Sequence, residues 1–194
     1  MFDNIAVYIV DKLIEYNTIN SDDRDIYKFG INQIFTTLLN FTTVILIGLV
    51  TDSVKEAVFF FTAFIPLRIF AGSFHSRTPL RCYIYSSIIT AAVLLTMRYI
   101  DIPLLIYCLL YIVSSVIILF FAPVEDVNKL LDDLEKKVYK NRTFRIWIVE
   151  SIAFIIFELL KMYTFMKCFL FSIILSAVLI VLGIINNMKL TKKE

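Results

Sequence analysis

The chain has 194 residues, 59 % of them apolar, with 18 Phe and 10 Tyr and a mean hydropathy of +0.81. Globular proteins are about half apolar, and a soluble fold of this size has too little interior to hide so much apolar surface. A disordered chain, a disulfide-built secreted domain and an ordinary cytosolic enzyme are thereby excluded, and the net charge of +2 carries meaning only through its distribution.

Residues 1–28 place Ile5, Tyr8, Ile9, Leu13 and Tyr16 at helical spacing, with Asp3, Asp11, Lys12 and Glu15 elsewhere on the wheel. This predicts an amphipathic helix lying on the inner leaflet or against the bundle. It is not read as a signal peptide, because an acidic residue, Asp3, stands near its start and Asp11 and Lys12 break its apolar stretch. Ser21, followed by Asp22 and Asp23, reads as a helix start, since acidic residues suit the positive end of a helix dipole.

Three stretches are free of charge for about 20 residues or more, the length needed to cross the hydrocarbon: Phe29–Thr51, Ile102–Val124 and Cys168–Met188. Three weaker candidates lie between them. Ser53–Phe70 carries Lys55, Glu56 and Arg68; Cys82–Met97 is short; Phe144–Lys161 carries Glu150 and Glu158. The expected fold is an all-α membrane protein, one domain over residues 1–194, with six transmembrane helices across 29–188 behind the amphipathic helix. The charged fourth loop, residues 124–145, reads as a short surface helix returning to the bilayer.

An even span count puts both termini on one side. With the second and fourth loops, that side holds 15 of the 19 Lys and Arg residues, against Lys55, Arg98, Lys161 and Lys167 on the other. Basic residues stay in the cytoplasm, so both termini are expected there.

His75 is the only histidine, and the cysteines are Cys82, Cys108 and Cys168. Their odd number and wide spacing make neither a disulfide framework nor a zinc knuckle. His75 and Cys82 share the second loop. Pro79 lies between them and suits a first helical position, with Thr78 as N-cap. Cys82 then falls in or just beyond the first turn of the third span, where free N–H groups and the dipole favour a thiolate. Arg77 and Arg81 push the same way. His75 is placed to take the thiol proton or to pair with the thiolate, which makes a sulfur nucleophile near neutral pH. Gly72 allows a tight turn or the close approach of a substrate chain.

The bland reading is coincidence: one Cys and one His in a loop make only half a tetrahedral zinc set. No metal or cofactor is expected, and no nucleic-acid partner. Cys108 reads as packing, and Cys168 lies far from the histidine. Glu150 and Glu158 are intramembrane carboxylates, which usually face a bundle interior. A polar substrate groove is favoured for Glu150, and an ion pair with Lys161 competes for Glu158. Trp147 and the tyrosines read as interface anchors.

At Arg68, Gly72, Ser73, His75 and Cys82 the chain resembles the accessory gene regulator protein B (AgrB) family, whose pattern is an Arg, a Gly-Gly-x-His element and a Cys seven residues after the His. The stretch Ala122–Lys129 resembles the family's Ala-Pro-acidic segment. Ser73 stands where a second Gly is usual. The resemblance implies a membrane cysteine endopeptidase with His75 and Cys82 catalytic. Its substrate would be an AgrD-like precursor peptide bound at the lipid bilayer. The enzyme would remove the precursor's C-terminal tail, hold the new carbonyl on Cys82 as a thioester, and release it to a peptide Cys or Ser as a thiolactone or lactone. It also implies a homodimer. Glu125, Asp126 and Glu150 are candidates for gripping the precursor, with Arg68, Gly72, Ser73, Arg77 and Arg81 supporting the site. The competing readings are a small transporter, using Glu150 and Glu158, and a non-catalytic scaffold for an amphipathic peptide.

Overall fold

The computed structural model describes residues 2–72, 79–125 and 131–191, without the side chains of residues 79, 82 and 189–191. Among the described residues there are seven α-helices and no strand. They are α1 (Asp3–Glu15), α2 (Arg24–Val50), α3 (Val54–Ala71), α4 (Pro79–Tyr99), α5 (Leu104–Phe121), α6 (Asp133–Leu159) and α7 (Tyr163–Thr191), with a 3-10 turn at Ser21–Asp23 leading into α2.

Three helical segments are long and apolar enough to cross a membrane: Ser21–Val50, Leu104–Phe121 and Tyr163–Met188. They contain most of the three uncharged stretches read from the sequence. Large apolar side chains stand outward all round the molecule; Val50 is 88 % exposed and Phe120 79 %. Such a surface suits hydrocarbon rather than water.

Three helices end on a residue in the left-handed region that is not glycine: Asn17 (φ 52°), Asp52 (φ 50°) and Lys161 (φ 56°). Each end closes with the paired bonds of a Schellman turn. Thr18 N–H reaches Leu13 O (2.9 Å), Ser53 N–H reaches Gly48 O (2.7 Å) and Met162 N–H reaches Phe157 O (2.9 Å), satisfying carbonyls the helix leaves free.

α7 is the central rod. It packs on α3, α5 and α6 and touches α4. Leu67 and Ala71 of α3, Ile118 of α5, Ala122, and Ile173, Ala177 and Ile180 of α7 form one buried cluster. Small residues on α7 let these backbones come close, as membrane bundles require.

Two tie points fix the helix directions. Arg98, near the end of α4, donates to Thr51 O and to Asp52 O (2.9 Å) and pairs with the Asp52 carboxylate (3.3 Å). Lys167, in the first turns of α7, donates to Met97 O (3.2 Å) and Ile100 O (3.4 Å) and pairs with Asp101. The links 51–53 and 100–103 therefore share one end of the bundle with the start of α7. At the opposite end Val124 N–H donates to Ala71 O (3.0 Å), and Asn187 Nδ2 donates to Glu125 O (2.7 Å).

One expectation is corrected, and one is refined. The fourth loop is no separate surface helix over its second half: α6 runs unbroken for 27 residues from Asp133, roughly 40 Å at about 1.5 Å per residue. No Pro or Gly interrupts it, and a capping box starts it, with Glu135 N–H on Asp132 Oδ1 (2.6 Å) and Asp132 N–H on Glu135 Oε2 (3.2 Å). In α1 the buried residues are Ala6 and Val10, whereas Ile5, Tyr8 and Tyr16 are exposed. α1 folds back along α2, held by Arg24–Asp11 (2.8 Å), Lys28–Asp3 (3.2 Å) and a Phe2–Phe35 ring contact. Small Ala6 permits the close approach, so the inward face is not the most hydrophobic one.

Candidate functional site at one end of the bundle

α4 opens at Pro79, whose missing N–H and fixed φ suit a first helical position. Cys82 is the fourth helical residue, so its backbone lies at the end of the first turn, near the positive end of the helix dipole. Arg81 beside it is exposed. The next residue, Tyr83, shares a 2.8 Å hydrogen bond between its hydroxyl and Thr43 Oγ1 of α2. That bond ties the opening turn of α4 to the bundle. Ser73, His75, Arg77, Thr78 and Asp126 lie outside the described residues, as does the Cys82 side chain.

Gly72, where the chain leaves α3, has φ 76° and ψ 163°. That conformation is essentially confined to glycine. The backbone of Val124 presses on it: a β-carbon at Gly72 would stand 2.1 Å from Val124 O and 2.8 Å from Val124 N. The backbone turns here as foreseen, and the chain that comes close is the protein's own segment at Val124. The segment leading to His75 thus departs from a point clamped to the segment carrying Glu125.

Glu125 is the hub of this end. Its carboxylate pairs with Lys136 Nζ (2.9 Å) and accepts from Leu131 N–H (3.4 Å), while its carbonyl accepts from Asn187. The hydrogen bond from Lys136 holds the Glu125 carboxyl below the usual range, and Glu125 in turn raises the Lys136 amine. Arg68 lies in the last turns of α3, its guanidinium 5.8 Å from the Phe64 ring centre. Phe70 is held edge-on by Tyr139 (5.6 Å) and covered by Arg142 (5.0 Å). The start of α6 thus lies on the end of α3.

The structure does not bring Glu150 to this group. It sits in the α6–α7 seam, 3 % exposed, with neither carboxyl oxygen hydrogen-bonded. The Ser172 hydroxyl faces it without reaching hydrogen-bond geometry. The carboxyl is enclosed rather than opened to a groove. Glu158 makes no ion pair with Lys161 among the described residues. Lys161 has turned left-handed beyond the helix, and its N–H caps Glu158 O (2.9 Å). Trp147 is no simple interface anchor. Its indole N–H donates to Ser115 Oγ (3.0 Å), beside a Tyr111–Ser151 bond of 2.6 Å, so it stitches α6 to α5. Cys168 is buried among Phe60, Phe64 and Met97, its thiol on Thr164 O (3.3 Å), while Cys108 is half-buried in α5. An apolar groove of about 240 Å³ between α2 and α3, lined by Phe41, Val44, Phe61 and Pro66, shares no residue with the Glu125 hub. Among the described residues no cluster of three Cys, Asp or Glu side chains could hold a metal ion.

Sequence reasoning passed over Asn187, Tyr83 and Thr43, and counted Lys136 only as part of a basic loop. A lone Asn near a helix end carries no motif, and its partner is a backbone carbonyl 62 positions earlier.

Apolar rods, an inverted surface and a polar hub joining three helix ends define an integral-membrane helical bundle, with a cysteine in the opening turn of one rod. The model of the family accessory gene regulator B matches residues 4–182, and the chain belongs to that family. It is 26 % identical over 145 residues to AgrB-like protein 2 of Clostridium perfringens strain 13, and 27 % identical over 145 residues to an AgrB-like protein of strain SM101. Each alignment covers 71 % of this chain and 67 % of the relative. No solved structure matches. Membership implies a part in processing an AgrD-type precursor in accessory gene regulator quorum sensing.

Proposed function

We propose that the protein is a membrane cysteine endopeptidase that cuts the C-terminal tail from an AgrD-like precursor and closes the remaining peptide into a ring. The observation that carries the reading is the position of Cys82 in the first turn of α4, following a segment that leaves α3 at the clamped Gly72.

The Cys82 thiolate attacks the scissile carbonyl carbon, and the tetrahedral adduct expels the tail amine, which takes its proton from the His75 imidazolium. The acyl group now sits on sulfur as a thioester. Neutral His75 accepts the proton of a peptide thiol or hydroxyl as that group attacks the thioester. The C–S bond breaks, and Cys82 leaves as thiolate. For a peptide thiol the exchange is thioester for thioester and nearly balanced in energy, so the outcome depends on keeping water out. A site at a membrane surface restricts water and concentrates an amphipathic precursor beside the sulfur.

In this reading all six helices from α2 to α7 cross the membrane, and both termini and the site face the cytoplasm. The shared ends of the links 51–53 and 100–103 support the alternation, and the 15-to-4 division of cations supports the orientation. Cys82→Ala and His75→Ala, reconstituted in vesicles, are expected to lose precursor cleavage while inserting normally. Cleavage by Cys82→Ala would overturn the mechanism.

A further inference from the structure

We propose that Asn187 and Glu125 are positioning residues, a latch that sets where the chain leaves α3 on its way to His75. The inference rests on the Cys–His reading above and gives Glu125 a different part in it, bracing the enzyme rather than gripping the peptide.

The latch is a chain of contacts across the hub. Asn187 of α7 donates to the Glu125 carbonyl (2.7 Å). One residue earlier, Val124 donates to Ala71 O (3.0 Å) and lies against Gly72 so closely that no β-carbon fits. From its other side the Glu125 carboxylate holds Lys136 (2.9 Å) in the first turn of α6 and the N–H of Leu131 (3.4 Å). Segment 122–125 is therefore fixed to α7 and α6, and it fixes the last residue of α3. Gly72 stands three residues before His75. Its φ/ψ pair is open to glycine alone and is held by the Val124 backbone, so shifting Val124 redirects the chain that follows. A side chain that must meet a sulfur at hydrogen-bond reach tolerates little displacement. The Glu125 carboxylate already has two partners within the protein, which leaves it less free to bind a peptide.

The test reads the Cys82 thiol itself. The full-length protein in vesicles is alkylated with iodoacetamide between pH 5 and 10, and the Cys82 peptide is followed by mass spectrometry, with Cys108 and Cys168 as internal references. His75→Ala is expected to move the Cys82 profile toward the ordinary thiol value near 8.5. Asn187→Leu, which has no donor, and the near-isosteric Asn187→Asp, whose ionised carboxylate cannot donate to the Glu125 carbonyl, are expected to move it the same way. The shift should be about one pH unit, or roughly tenfold less reaction at pH 7, since one unit is a factor of ten in thiolate. Should Asn187→Leu expose buried Cys168, Asn187→Asp decides. A profile moved by His75→Ala and left in place by a folded Asn187 variant overturns the latch. A profile that His75→Ala leaves in place overturns the Cys–His pairing, and the latch with it, a separate and recognisable failure.

Discussion

A methyl group at residue 72 has nowhere to go. The Gly72→Ala side chain would stand 2.1 Å from Val124 O, against a van der Waals contact of about 3.5 Å. The backbone there (φ 76°, ψ 163°) lies where a residue with a β-carbon is strained by about 1–3 kcal/mol. Relief requires segment 122–125 to back away, which breaks the Val124–Ala71 hydrogen bond (3.0 Å), worth about 0.5–1.5 kcal/mol. Together these come to about 2–4 kcal/mol. For a chain of this size each kcal/mol lowers the melting temperature by about 2–4 °C, so a drop of roughly 5–15 °C is expected. The assay is thermal unfolding of the purified protein in detergent, followed by circular dichroism. A variant melting within about 1 °C of the parent would refute the clamped geometry at Gly72 and remove the first link of the latch.

Glu150→Gln is expected to cost less than about 1 kcal/mol in the same assay. Among the described residues no cation pairs with the buried carboxyl, and removing a buried acidic group is expensive only when a charged partner is left behind. A loss above about 3 kcal/mol would reveal an ion pair that the seam does not contain. The Glu125–Lys136 contact has a defined pH window. Because the Glu125 carboxyl is depressed below its ordinary 4.5 by Lys136, its contribution is fully present above pH 4.5 and is lost only as pH falls through the lower folded value. Melting temperatures of the parent and of Glu125→Gln should therefore differ by a constant amount between pH 5 and 8 and converge only as pH falls below 4.5 through the lowered folded value. Convergence already at pH 6 would contradict the pairing.

The sequence disclosed those features whose physics is local. A run without charge is a rod for hydrocarbon wherever it packs, so α2, α5 and α7 were visible from composition. Pro79 announced the start of α4 because the ring itself fixes φ and lacks the N–H. Gly72 drew notice for what only glycine permits. Features that depend on a partner stayed hidden. The ends at Asn17, Asp52 and Lys161 carry no glycine, so the strongest local mark of a left-handed helix end is missing there. The wheel for α1 favoured the bulkiest side chains, but closeness to α2 selected Ala6 and Val10. Trp147 has the chemistry of an interface residue, and only Ser115 on a neighbouring helix shows why it points inward. Asn187 contributes through a backbone carbonyl, which has no side-chain signature at all.

The two cations that tie the far ends of α2 and α4 have a bearing on how the protein lies between its two aqueous surroundings. Arg98 and Lys167 are engaged by carbonyl oxygens and by Asp52 and Asp101, so little of their positive field reaches outward. Among the described cations of that rim, Lys55 and Lys161 stand apart from these ties. The same neutralisation occurs at the other end, where Lys12, Arg24, Lys28 and Lys136 are held by Glu15, Asp11, Asp3 and Glu125, so a tally of lysines and arginines overstates the free charge of both ends. In the proposed orientation, anionic phospholipid would gather under the basic, cytoplasmic end.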